Sequence, residues 1–292
     1  MPNPRPSPMS CQTCAARRDG VCTDLTAEEM GRINRFKSGE RRVAAGVDIV
    51  VPGESSRAIY NLVSGWAFRY GLLEDGRRQI VDFILPGAVI GVQTLDGAKA
   101  TYGVQALTDT ALCVVRHEDL ASFSSEVPGI ALRLAWLIAR DRSLAYDHLT
   151  SVGRQSASQR VAHLILELYV RYRVQWPGHR IEKMQMPLTQ EHIADATGLT
   201  GVHVNRVLRE LREDGVLEFH YKRLRVLDPD KLVETAGTDP HLLAHWTRRA
   251  GSLDSLLHGA DEGEAPLAAE PMSKKRPAAA RSGAGASASL AR

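Results

Sequence analysis

TQEHIADATGLTGVHVNRVLRELRED, residues 189–214, decides the fold. Thr189 can cap a first helix in which Ile193 and Ala194 face inward, and Ala194 is small enough for close helix–helix approach. Gly198 permits a tight turn, and Thr200 can cap a second helix. Val204, Val207, Leu208 and Leu211 repeat at helical spacing and bury one face of that helix, which Gly215 closes. The other face carries Val202, His203, Asn205, Arg206 and Arg209. An amide and two guanidinium groups near a helix N-terminus suit base edges and phosphates in a major groove. We expect Arg206 to be the main base reader, with guanine as its partner, and Asn205 and His203 to come second.

Downstream, Val216–Phe219 and Leu224–Leu227 flank His220, Tyr221, Lys222 and Arg223, so a β-hairpin wing with a basic tip is expected to meet phosphate. The order of caps, turn glycine, core spacing and wing predicts a winged helix-turn-helix. The competing reading is a helical hairpin that binds protein or stabilises a dimer.

Upstream, residues 156–175 predict a helix with Val161, Leu164, Ile165, Leu168 and Tyr169 inward, ended by Trp176-Pro177-Gly178. Before it, Pro128 to Val152 has a seam of Ile130, Leu134, Leu137, Ile138, Asp141, Leu144, Ala145, His148 and Val152, spaced three or four apart. A helix this long with polar outer faces suits pairing with a copy of itself, so Ile130, Leu134, Leu137, Ile138, Asp141, Ala145 and His148 are the expected homodimer interface. The alternative is a helix laid against its own β-domain.

From about 38 to 118 the pattern is one of short strands (Ala58–Val63, Trp66–Leu72, Gln79–Ile84, Ala111–Val115) punctuated by Pro52-Gly53, Asp75-Gly76 and Pro86-Gly87. That predicts a β-roll, with Asp75-Gly76 as a hairpin turn. LTAEEMGRINRF at 25–36 predicts a short helix with a Thr26–Glu29 capping box. The expected division is a cysteine-rich leader at 1–24, a β-roll at 25–126, a dimerisation helix at 127–154, the winged helix domain at 155–235 and a largely disordered extension at 236–292. The fold class is therefore α+β. Beyond about 259 the chain is rich in Ala, Gly, Ser and Pro, and its basic run Lys274, Lys275, Arg276 and Arg281 reads as a solvated tail.

Three of the four cysteines, Cys11, Cys14 and Cys22, form C-x2-C-x7-C in the leader, and Cys113 lies in a predicted strand. Three ligands on a loop and one on a strand can wrap a metal or a cluster, and thiolates suit iron and zinc. Spacing alone does not separate a four-thiolate zinc ion from a [4Fe–4S] cluster. A thiol–disulfide switch and unconnected thiols are the remaining readings.

The net charge is +3, which permits nucleic-acid binding without requiring it, so the placement of charge must decide. The first ten residues hold four prolines and no apolar segment, and no stretch of the chain is apolar for long enough to span a bilayer. A cytoplasmic protein with no membrane partner is expected. No nucleophile–base pair, phosphate loop or HExxH motif is present. The ten histidines are scattered, His117, His148 and His203 being explained as loop, seam and groove residues. An enzyme is not expected.

The order of leader cysteines, β-roll, long helix and winged helix-turn-helix resembles the Crp/Fnr superfamily over residues 11–230. GESSRAIYNLVSGWAFRY at 53–70, DGRRQIVDFILPGAVIG at 75–91 and the 189–217 segment carry the resemblance. Within the superfamily the chain is most similar to the oxygen-sensing fumarate-and-nitrate-reduction type, in which three N-terminal cysteines and a fourth in the last β-roll strand bind a cluster; LCVVRHEDL at 112–120 puts Cys113 there. The resemblance implies a [4Fe–4S] cluster on Cys11, Cys14, Cys22 and Cys113, with zinc as the alternative. It implies a dimer favoured by the intact cluster and lost with oxygen, an operator DNA partner, and contact with RNA polymerase. It also implies Asp141 facing its symmetry mate, where like charge would keep the dimer marginal. Departures are Val202 and Asn205, where that type has glutamate and serine. Valine cannot accept from cytosine or adenine amines, so a different operator is expected. GVQTLDGAKATYGV at 91–104 lacks the arginine-serine pair and glutamate of the cyclic-AMP receptors, so no cyclic nucleotide is expected.

Overall fold

The computed structural model describes residues 10–176, 184–239, 246 and 257. The described part of its N-terminal half opens with two single 3-10 turns, Cys11–Thr13 and Ala15–Arg17, where the cysteines were expected on a loop. Helix α1, Ala27–Phe36, follows, with the predicted Thr26–Glu29 capping box formed from both sides.

Two four-stranded antiparallel sheets then build the β-roll. One has the order β1 (Gly39–Val43), β8 (Thr110–Arg116), β3 (Ala58–Ser64), β6 (Val89–Ile90). The other has the order β2 (Asp48–Val50), β7 (Gly103–Ala106), β4 (Ala67–Leu72), β5 (Arg78–Ile84). Asp75-Gly76 does turn the β4–β5 hairpin, with Gly76 at φ 84°. Leu62, Ala67, Ile84, Ile90, Val104 and Leu112 alternate inward from both sheets and fill the roll.

Helix α2 (Leu120–Glu126) leads into α3 (Gly129–Arg154), which runs from the leader to the DNA-binding half. Ile130, Leu137 and Leu144 are buried against this chain's own residues. Asp141 pairs with Arg69 of β4 at 3.2 Å, and His148 bonds the Val81 carbonyl of β5 and Glu167. This corrects the seam expected from spacing: Ile130, Leu137, Asp141 and His148 hold α3 to its own subunit. Leu134 and Ala145 are half-buried, and Ile138 is 45% exposed. The free apolar face lies a third of a turn round, on Leu132, Ile138, Tyr146 and Leu149, with Ala135 and Ala139 between them.

The C-terminal half contains α4 (Ala157–Gln175), β9 (Met184–Gln185), α5 (Gln190–Thr197), α6 (Gly201–Glu213), β10 (Leu217–His220), β11 (Arg223–Val226) and α7 (Pro229–Ala236). Its core is continuous with Trp66, Phe68, Ile80 and Phe83 on the outer face of the β4–β5 hairpin. There Arg78 clasps Asp195 of α5 at 2.7 and 3.0 Å, and Gln79 donates to the Ala196 carbonyl. Beyond α7, Trp246 is buried and donates to Asp147, while Leu257 accepts from Tyr169. Two residues of the extension, Trp246 and Leu257, are therefore seated against α3 and α4. Lys274, Lys275, Arg276 and Arg281 lie outside the described residues.

Candidate DNA interface and cysteine site

The reading helix is placed by local chemistry. Thr189 caps α5, and the His192 side chain completes the box from the third position. Gly198 takes φ +67°, a left-handed value that glycine adopts without strain. Thr200 accepts from the His203 amide and starts α6. Val204, Val207, Leu208 and Leu211 are buried as expected, and Gly215, at φ +70°, bonds back to Arg212.

This leaves Val202, His203, Asn205, Arg206 and Arg209 on one exposed face. Val202, at 81% exposed, has no apolar cover. Arg206 and Arg209 face Glu210 and Glu213 at 3.7 and 3.8 Å. Such loose, exposed i,i+4 pairs hold little energy, so the guanidinium groups can be given over to DNA. Asn205 donates to Gln190 at 3.4 Å. Gln190, which the sequence did not single out, thus adds a second amide beside the reading face.

The wing turns on two residues rather than four. His220 pairs with Arg223 across Tyr221 and Lys222, both non-glycine residues at positive φ, +51° and +62°. Tyr221 is 98% exposed. A left-handed conformation costs a non-glycine residue about 1–2 kcal/mol. The wing therefore carries strain at its tip to hold a phenol and an ammonium outward.

At the other end of the molecule, Cys11 and Cys14 on the leader turns, Cys22 after them and Cys113 on β8 all line one largely apolar cavity of about 60 Å³. Val21, Met30, Ile33, Val89, Val115 and Phe123 are among its walls. The β-register sets Cys113 between Glu40 of β1 and Asn61 of β3. Burial first, then the neighbouring sulfurs, push the Cys22 thiol up to about 12. Burial also raises Cys113 to about 12, against the pull of Lys37, and raises Cys14. The Cys11 thiol donates to Asn34 at 3.5 Å. Two buried polar atoms at the cavity, Arg17 Nε and Asn61 Oδ1, have no hydrogen-bond partner. Among the described residues, no three His, Cys, Asp or Glu side chains gather tightly enough to hold a single ion. Four thiolates on one zinc ion would lie roughly 3.8 Å apart, given a Zn–S bond of about 2.3 Å. The donor set is four thiols with Arg17 as an unused N–H, a chemistry suited to a thiolate-bound metal group.

Among the described residues of β4 and β5 both arginines are engaged, Arg78 by Asp195 and Arg69 by two carboxylates. Arg69 is fixed between Asp82 at 2.8 Å and Asp141 at 3.2 Å and stacks on Tyr102.

Residues 40–126 match the family model described as the cyclic nucleotide-binding domain, and residues 159–235 match the Crp-like helix-turn-helix domain. The nitrogen fixation regulation protein FixK of Bradyrhizobium diazoefficiens is 32% identical over 76% of this chain and 92% of its own. The chain belongs to the Crp/Fnr family. The transcriptional activator FnrL of Cereibacter sphaeroides is 29% identical over 78% of this chain and 92% of its own. The solved structure of FixK2 from Bradyrhizobium japonicum superposes with a TM-score of 0.61 at 28% identity, covering 68% of this chain and 98% of that one. As a Crp/Fnr protein the chain is a transcription regulator and not an enzyme, and its helix-turn-helix is a DNA-binding element. Among the described residues no helix is long and apolar enough to cross a membrane. The Crp-like model ends at residue 235, so the buried Trp246 belongs to a part of this chain that the family models do not reach.

Proposed function

We propose that this protein is a cytoplasmic, oxygen- or redox-responsive transcription regulator in which Cys11, Cys14, Cys22 and Cys113 hold a [4Fe–4S] cluster. One observation carries the reading: three thiols of the leader and one of β8 share a single apolar cavity beside an unpartnered Arg17 N–H. When bound, the cluster supplies a redox-labile centre that oxygen converts or destroys. The chain's own part is to hold the leader against α1, β8 and α3 while the four sulfurs are engaged.

Leu132, Ile138, Tyr146 and Leu149 on α3 form the homodimer face, and the dimer presents two α6 helices to operator DNA. Val202, His203, Asn205, Arg206 and Arg209 read bases and phosphate. The caps Thr189 and Thr200 position the helices, and Tyr221 and Lys222 reach the backbone. RNA polymerase is the protein partner of such a regulator. A cyclic nucleotide is not the signal in this reading, because Arg69 is already neutralised by two carboxylates.

The test is an absorption spectrum of anaerobically purified protein before and after air, with iron and sulfide counts. A brown protein whose visible absorption bleaches in air is expected. A colourless protein without iron and sulfide, or one with stoichiometric zinc, refutes the cluster.

A further inference from the structure

The segment between Cys14 and Cys22 is tied to all three modules at once. Arg18 Nη1 donates to the Gln175 carbonyl at the last turn of α4, the helix that opens the DNA-binding half. Asp19 Oδ2 accepts from Arg140 Nη1 of α3 at 2.8 Å, with the two side chains only 7% and 3% exposed. Gly20 lies on the β5–β6 turn so closely that a Cβ on it would sit 2.6 Å from the Gly87 carbonyl oxygen. A Cβ on Gly87 would sit 2.2 Å from that of Asp19.

From Asp19 the charges continue inward. Arg140 reaches Asp141 at 3.7 Å, Asp141 reaches Arg69 at 3.2 Å, and Arg69 reaches Asp82 at 2.8 Å. One residue along β5, Val81 accepts from His148, whose other ring nitrogen meets Glu167 of α4. Arg171 bonds the second oxygen of Glu167 at 2.6 Å. With all groups ionised, four cations (Arg69, Arg140, Arg171, His148) face four anions (Asp19, Asp82, Asp141, Glu167). The lattice is neutral only while Asp19 is in place, and Asp19 is the one member that the cysteine-bearing leader supplies.

We propose that Asp19 is a positioning residue that transmits the state of the cysteine site to α3 and α4. The proposal rests on the cluster reading above. When the sulfurs let go, the leader can lift. Asp19 then leaves Arg140 with only its longer 3.7 Å contact to Asp141 and the buried lattice with one cation in excess, and the contact of Arg18 with Gln175 breaks with it. The cost falls on the α3–α4 junction, where the dimer face and the DNA-binding domain are joined.

The variants are Asp19→Asn and the double variant Asp19→Asn with Arg140→Gln, which leaves no unpaired buried charge. Each full-length protein is purified without oxygen and assayed for iron and sulfide. Its affinity for a duplex selected from random-sequence DNA by the wild-type protein is then measured before and after air. Wild type should lose roughly tenfold or more in affinity on air exposure, within the usual range of allosteric coupling. Both variants should keep their iron and sulfide yet change affinity less than about threefold. A full wild-type response in either variant overturns the proposal. So does loss of iron from both, which would make Asp19 part of the site's scaffold, and so does failure of both to fold. Wild type without iron, or without an air response, sinks the cluster reading itself and the coupling with it.

Discussion

Val202 stands where its family relatives of the oxygen-sensing type were expected to carry glutamate, and the structure leaves its methyl groups bare at the start of α6. A branched apolar side chain there can touch a thymine methyl but cannot accept from an amine. Val202→Glu should therefore move base preference at one operator position by about 1–3 kcal/mol, read by binding to a set of single-base operator variants. Uniform loss at every base would show that Val202 does not face a base edge. Lys222 lies in the strained wing tip at φ +62°. Lys222→Gly should raise the stability of the folded chain by about 1 kcal/mol, because glycine takes that conformation freely. The same change should weaken DNA binding evenly across sequences and lower its salt slope by about one ion. Denaturant melts and salt titrations measure the two effects separately.

Among the elements, α5 and α6 were legible from sequence because every signal for them is local: two threonine caps, a turn glycine and an apolar repeat within 26 residues. The wing was placed but drawn too long at its tip, since nothing in the residue types Tyr221 and Lys222 announces positive φ. Helix α3 was legible as a long helix and misread as a seam. It has two apolar faces, and spacing alone cannot say which one its own subunit uses. Ile130, Leu137 and Leu144, seven apart, turned out to be its own core, while Leu132, Ile138, Tyr146 and Leu149 are left uncovered. Asp141 was sent to the symmetry mate because its partner, Arg69, lies 72 residues away. Ile138→Arg places a charge on the free face. It should change the stability of the subunit by no more than about 0.5 kcal/mol while abolishing the dimer, as seen by sedimentation over a range of concentrations. Leu137→Ala should instead cost about 2–5 kcal/mol of stability through a cavity in the subunit's own core. If Ile138→Arg still dimerises, the interface lies elsewhere.

Across the whole molecule the roll and the DNA-binding half share one core, and a buried ionic contact, His148 with Glu167, lies where α3 meets α4. Burial opposes a charge on His148, but the Glu167 carboxylate and its hydrogen bond outweigh it and raise the imidazole to about 9. Burial would likewise raise Glu167, yet His148 and Arg171 prevail and hold it at about 2. The histidine's contribution is full below its ordinary value of 6.5 and fades as the pH climbs through 9. The glutamate's is full above its ordinary value of 4.5 and fades as the pH falls towards 2. Both partners are therefore charged to full effect between about pH 4.5 and 6.5. The shared interaction is on the order of 3 kcal/mol, counted once for the pair. Tm should fall on going from pH 6.5 to 9, and the fall should persist in high salt because the pair is shielded from solvent ions. Replacing both partners, His148→Gln with Glu167→Gln, should flatten that slope even if it lowers Tm throughout. An unchanged slope in the double variant would mean that the pair does not anchor the junction between the sensor and the DNA reader.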